Sequence, residues 1–137
     1  MIENFGNIFY LILFLLNLLG LFYYGYLCIL SPKTLINKYN LGERARFPIR
    51  LIGTFILPII IIGIWILFRE NGPEGCWIYF VFGVLVSLFQ VLLDWGQRFK
   101  IIDSDLESFN DTADSIIGIV FVVIGIVLIN GLADKIY

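Results

Sequence analysis

Five residues, three within the third apolar run and two just past its end, carry polar or small groups at helical spacing. Gly83, Ser87, Gln90, Asp94 and Arg98 follow one another at intervals of three or four, so a helix brings them to one face. A polar stripe inside a membrane helix faces other protein or water, because lipid offers it no hydrogen-bond partners. Read for function, Ser87, Gln90 and Asp94 form a site for a solute, a proton or a lipid headgroup, entered from the inner side, with Asp94 as its charged element. Read for structure, Ser87 and Gln90 hydrogen-bond across helices and Asp94 pairs with Arg98 four residues on. The structural reading carries more weight, since Asp94 falls at the edge of the run, where a charge costs less than at the bilayer centre.

A second constellation follows. Asp103, Asp105, Glu107, Asp111 and Asp114 occupy offsets 1, 3, 5, 9 and 12 of a calcium-loop pattern. The fit fails where geometry is strictest, with Ser108 in place of the turn glycine and Asp114 in place of the bidentate glutamate. The acids suit the start of a helix capped by Asn110 or Asp111 instead. Asn110-Asp111-Thr112 matches a glycosylation acceptor but falls on the expected inner face, close to a span.

The third is basic. Lys33, Lys38, Arg44, Arg46 and Arg50, five of the nine Lys and Arg residues, lie between Ser31 and Arg50. They are candidate contacts for anionic lipid headgroups, although orienting the chain in a bilayer already calls for such charges.

Other chemistries lack their residues. There is no histidine, and the one methionine is Met1, so neither haem nor copper ligation is expected. No phosphate-cradling glycine loop, Ser-His-Asp set or metalloprotease motif is present. No metal, cofactor or catalytic residue is therefore assigned. A net charge of −2 with one basic block does not suit nucleic acid. Cys28 and Cys76 lie near opposite ends of different apolar runs, too far apart for a disulfide.

The elements that must position these residues follow from composition. The 137 residues are 60% apolar and only 15% charged, with a mean hydropathy of +0.94; soluble domains average about 45–50% and about 25%. Four apolar runs, at 8–30, 51–68, 76–93 and 116–132, are each long enough to span a bilayer as a helix. They are too continuous for barrel strands. The first is expected to be retained rather than cleaved, since its flank carries Glu3 and no basic residue and no small-x-small site follows. The expected fold is all-α: one polytopic domain over residues 1–137, its four transmembrane helices in an up-down-up-down bundle. Ser31-Pro32 opens a short interfacial amphipathic helix between the first two spans, presenting Leu35, Ile36 and Tyr39 on one face, with Gly42 placed to stop it.

Orientation follows from the basic residues. Seven (Lys33, Lys38, Arg44, Arg46, Arg50, Arg98, Lys100) fall in the loops 31–50 and 94–115, and two (Arg69, Lys135) on the other face. Both loops are expected in the cytoplasm and both termini outside. Trp65, Trp77, Trp95 and the Tyr23, Tyr24, Tyr26 group mark span ends, as interfacial aromatics do. The breaker Asn71-Gly72-Pro73 in the short turn from Arg69 to Gly75 makes the second and third spans antiparallel neighbours.

Helix packing is expected at Gly53, Gly63, Gly83, Gly118 and Gly125. The last two are seven apart in a repeated Ile-Gly-Ile-Val and open a shallow groove for another helix. Pro58 predicts a kink in the second span. The order of Pro32, Arg50, Gly53 and Gly63 resembles that of several small four-helix membrane families, DoxX-like ones among them; no function is carried over.

These features point to a non-enzymatic integral membrane protein, an accessory or assembly subunit whose partners are the lipid bilayer and other membrane subunits. The alternatives are a small transporter or channel-like protein with a polar path along Ser87, Gln90 and Asp94, or an anionic-lipid-binding protein.

Overall fold

A computed structural model describes residues 2–105 and 112–137, with helices and no strand among them. A 3-10 turn (Glu3–Phe5) precedes α1 (Ile8–Ile29) and the short α2 (Pro32–Lys38). A second 3-10 turn (Glu43–Ala45) leads into α3 (Arg46–Phe68), followed by α4 (Trp77–Arg98), α5 (Thr112–Gly131) and a final turn, α6 (Ala133–Ile136). α1, α3, α4 and α5 are long and apolar enough to cross a membrane, so by length and composition this is an integral membrane protein.

Three helix ends pass the limits of their apolar runs. α3 starts at Arg46, five residues before Leu51, because Pro48 sits in its first turn, where a missing N–H leaves no helical bond unmade. α4 continues past Leu93 to Arg98, and α5 begins four residues ahead of Ile116. Backbone hydrogen bonding, rather than hydrophobicity, decides where these helices stop.

The chain divides into two compact units, Met1–Glu74 and Gly75–Tyr137. In the first, α1 packs against α3. Gly53 faces Cys28 and Ile29, and a Cβ there would sit 2.5 Å from the Ile29 Cδ1. Gly25 faces Ile56 and Ile60. Positions late in α1 thus meet positions early in α3, and the two run in opposite directions. Phe5 is fully buried, its ring 5.0 Å from that of Phe14. The Asn4 side-chain amide donates to the Glu70 carbonyl at 2.7 Å. Gly72, at φ +57°, lies over Asn4, where a Cβ would be within 2.6 Å of the asparagine's own. α3 runs through Pro58, whose missing N–H leaves the Thr54 carbonyl without its helical donor.

α2 starts with Pro32 in its first turn, as its sequence predicts, but Ser31 does not cap it: its hydroxyl bonds no backbone N–H and lies 2.9 Å from that of Thr34 instead. Leu35 and Ile36 are buried, Tyr39 is half-buried, and Lys33 and Lys38 are exposed. Its stop differs from expectation. Gly42 has ordinary extended backbone, whereas Asn40 takes the left-handed conformation at φ 50°. The Leu41 N–H reaches back to the Ile36 carbonyl at 2.8 Å and the Asn40 N–H to Asn37 at 3.4 Å, a Schellman stop. Asparagine tolerates that conformation nearly as well as glycine, so the nearer residue ended the helix first.

In the second unit α4 packs against α5. Val84 lies on Gly125, Val91 on Gly118 and Asp94 on Ser115; numbers that rise along α4 fall along α5, so these two also run in opposite directions. The Trp77 and Tyr137 rings stack at 6.2 Å. The last turn buries Leu132 and Ile136 completely. α4 ends in a second Schellman stop with Lys100 at φ 55°, where the Ile101 N–H meets the Gly96 carbonyl at 2.8 Å. Ile102 folds back onto Gly96, whose Cβ, if present, would be 2.8 Å from its Cδ1.

Candidate functional site

Asp94 is the one buried carboxylate among the described residues. Its position near the end of α4 places it opposite Ser115 in the first turn of α5, and both side chains are buried. The Ser115 hydroxyl donates to Asp94 Oδ2. Arg98, one helical turn on, brings its Nε to 3.5 Å from the same oxygen. Oδ1 is buried and has no hydrogen-bond partner among the described residues. A half-satisfied buried carboxylate costs free energy, on the order of 1–3 kcal/mol for a missing partner, so this oxygen needs an account.

An open groove of about 630 Å³ adjoins the pair, lined by Trp95, Arg98, Phe99, Thr112, Ser115, Ile116 and Ile119. Trp95 and Phe99 form an edge-to-face pair at 6.0 Å. The Gln97 amide donates to Asp103 at 3.1 Å just beyond.

The stripe on α4 does not act as one surface. Asp94 is buried, Arg98, Gly83 and Ser87 are half-buried, and Gln90 is exposed. A Cβ on Gly83 would meet nothing within 4 Å, so the close approach expected of that glycine is absent from the α4–α5 pair. That pair rests on Val84 and Val91, one residue round the helix from Gly83 and Gln90. The Asp94–Arg98 pair stands as spacing predicts.

Of the basic residues, Lys33, Lys38, Arg44 and Arg50 are exposed, along α2 and around the start of α3. Arg46 is half-buried and ion-pairs with Glu43, and Lys38 lies 5.2 Å from the centroid of the Tyr39 ring. Of the packing glycines, Gly53, Gly118 and Gly125 make the close contacts already described, and Gly63 is buried. Glu107, Ser108, Asn110 and Asp111 lie outside the described residues, and with them half of the calcium-like loop, most of the glycosylation acceptor and the expected cap of α5.

Sequence reasoning missed Ser115, Gly25, Gly96 and Asn17. Ser115 directly follows the acidic stretch, and nothing in its spacing points to a partner on another helix. Asn17, half-buried in the middle of α1, was a legible signal, a lone amide within a run of leucines.

No family model, curated protein or solved structure matches the chain.

Proposed function

We propose that the chain is a non-enzymatic membrane subunit that works by packing against other membrane-embedded proteins, as an accessory or assembly component of a larger complex. Gln90 carries this reading. It lies well inside α4, is exposed, and its amide has no partner among the described residues. An amide left unbonded in hydrocarbon costs about 4–8 kcal/mol on a cyclohexane scale, whereas a partner helix that offers a hydrogen bond recovers roughly 0.6–2 kcal/mol. Asn17 adds a second mid-span amide. Exposed Phe82, Phe89, Phe55 and Ile61 supply apolar area for lipid or for neighbouring helices.

In this reading the four spans form an up-down-up-down bundle in a single domain. α2 lies on the inner leaflet with Leu35 and Ile36 inward, loops 31–50 and 94–115 are cytoplasmic, and both termini are outside. The test is native electrophoresis of the full chain extracted gently from its own membrane. Migration with partners, reduced by Gln90→Leu, is expected; recovery only as a lone monomer in native lipid discs overturns the proposal.

The exposure of Lys33, Lys38, Arg44 and Arg50 supports a second role, contact with anionic lipid at the inner leaflet. A transport path along Ser87, Gln90 and Asp94 has less support, because Gln90 and Asp94 differ in burial. Flux that falls in Asp94→Asn with Gln90→Leu, while assembly persists, would restore it.

A further inference from the structure

We infer that α4 carries a second packing seam, Gly83, Val86, Gln90 and Leu93, and that a second copy of this chain fills it, the two Gln90 amides bonded to each other. The inference rests on the reading of Gln90 as a contact for another membrane-embedded protein and names that protein.

Two seams of equal spacing run along α4. Val84, Ser87, Val91 and Asp94 follow at intervals of three, four and three, the spacing of a left-handed helix pair. Val84, Val91 and Asp94 meet α5 at Gly125, Gly118 and Ser115, and Ser87 between them is half-buried. Gly83, Val86, Gln90 and Leu93 repeat those intervals one residue earlier, about 100° round the helix. Here no helix is seated: Val86, Gln90 and Leu93 are exposed, and a Cβ on Gly83 would meet nothing within 4 Å. Gln90 stands about 20 Å along α4 from Trp77 and about 12 Å from Arg98, inside a hydrocarbon layer about 30 Å thick. Its amide makes no hydrogen bond among the described residues, and lipid tails offer it none.

Symmetry names the occupant. Whichever side the termini take, the bias of the basic residues gives every copy the same orientation. The α4 helices of two copies therefore run parallel, with each residue at the depth of its own counterpart. A two-fold axis along the membrane normal then sets residue 90 against residue 90. A primary amide holds both donors and an acceptor, so it is its own complement, whereas a carboxylate or an ammonium in this place would repel its counterpart. No residue of the seam is charged, and Gly83 opposite Gly83 lets the two backbones close. One polar residue at such a core position fixes the register of a parallel pair. Any other protein would have to present a hydrogen-bonding group at this depth and in this register; a copy has one by construction.

Cross-linking of the full chain in phosphatidylcholine vesicles, with Cys28 and Cys76 replaced by serine, tests this. Val86→Cys falls on the open seam, facing its counterpart, and Leu92→Cys on an exposed face turned away from both seams. Under mild oxidation at a low protein-to-lipid ratio, Val86→Cys is expected to form a disulfide between copies and Leu92→Cys none. Adding Gln90→Leu should cut the Val86→Cys cross-link about tenfold, whereas Gln90→Asn, which keeps the amide, should retain most of it. These positions lie off the seam that α5 covers, so the variants leave that contact in place. No cross-link, equal cross-linking at the two positions, or a cross-link indifferent to Gln90→Leu overturns the inference. If other proteins then still migrate with the chain from its own membrane, and Gln90→Leu still releases them, only the second copy is lost and the subunit reading stands.

Discussion

Val84 lies so close against Gly125 that a Cβ on residue 125 would overlap a valine methyl, with the Val84 backbone only 3.8 Å away. At Gly118 the matching obstacle is the tip of Val91 alone, at 2.8 Å. The two glycines of one repeat therefore differ in how much their neighbours can give. Gly125→Ala should destabilise the chain by about 1–3 kcal/mol through overpacking, less the roughly 0.5–1 kcal/mol that alanine returns to a helix. Gly118→Ala should cost less. Val84→Ala should partly rescue Gly125→Ala. Unfolding in mixed micelles of all four variants checks the order, and equal losses at the two glycines would refute it.

The buried pair at the end of the same helices predicts non-additivity. Ser115→Ala alone should cost about 1 kcal/mol, and Asp94→Ala more, up to about 3 kcal/mol, because it strands the buried Ser115 hydroxyl and removes the ion pair with Arg98. In the Asp94→Ala background, Ser115→Ala should cost little further, since the two residues share one bond. The same unfolding assay measures the cycle; simple addition would mean that they do not interact.

Cys28 and Cys76 report on packing in different units. Cys28 is buried beneath Gly53, and Cys76 is half-exposed. A membrane-permeant maleimide should label Cys76 well before Cys28 in the native chain. Gly53→Leu has to displace Ile29 and Cys28, so it should bring Cys28 labelling close to the rate of Cys76. Unchanged protection of Cys28 would show that α1 and α3 do not depend on this contact.

The placement of the basic residues predicts sidedness. With both native cysteines replaced by serine, a cysteine at Lys38 should react with an impermeant reagent only from the inner side, and one at Tyr137 only from the outer side. Labelling of both from one side would remove the proposed topology and the inner-leaflet place of α2.

What the sequence disclosed follows its periodicities. The four spans are visible because hydrophobic residues run without a break, and Asp94 with Arg98 because both lie on one helix, four residues apart. Asp94 with Ser115 was not visible, since that bond spans two helices and depends on the register between them. The glycines divide the same way. Gly118 and Gly125 declare themselves by repetition, but Gly25 and Gly96 matter only because Ile60 and Ile102 happen to face them. Gly83 lay in the helical stripe of α4 but faces open space instead. Gly42 failed as a helix stop for a local reason, because Asn40 could already adopt the conformation required.

The first few residues have a consequence for anyone who handles this protein. Phe5 is sealed beneath Phe14, while Asn4 clasps the far end of the returning helix through the Glu70 carbonyl. The entry strap is thereby a fastener that joins the opening of α1 to the close of α3. Trimming residues 2–6, or crowding them with a rigid fusion, would unbuckle that hairpin at its mouth, and looser extraction in mild detergent would be its first symptom.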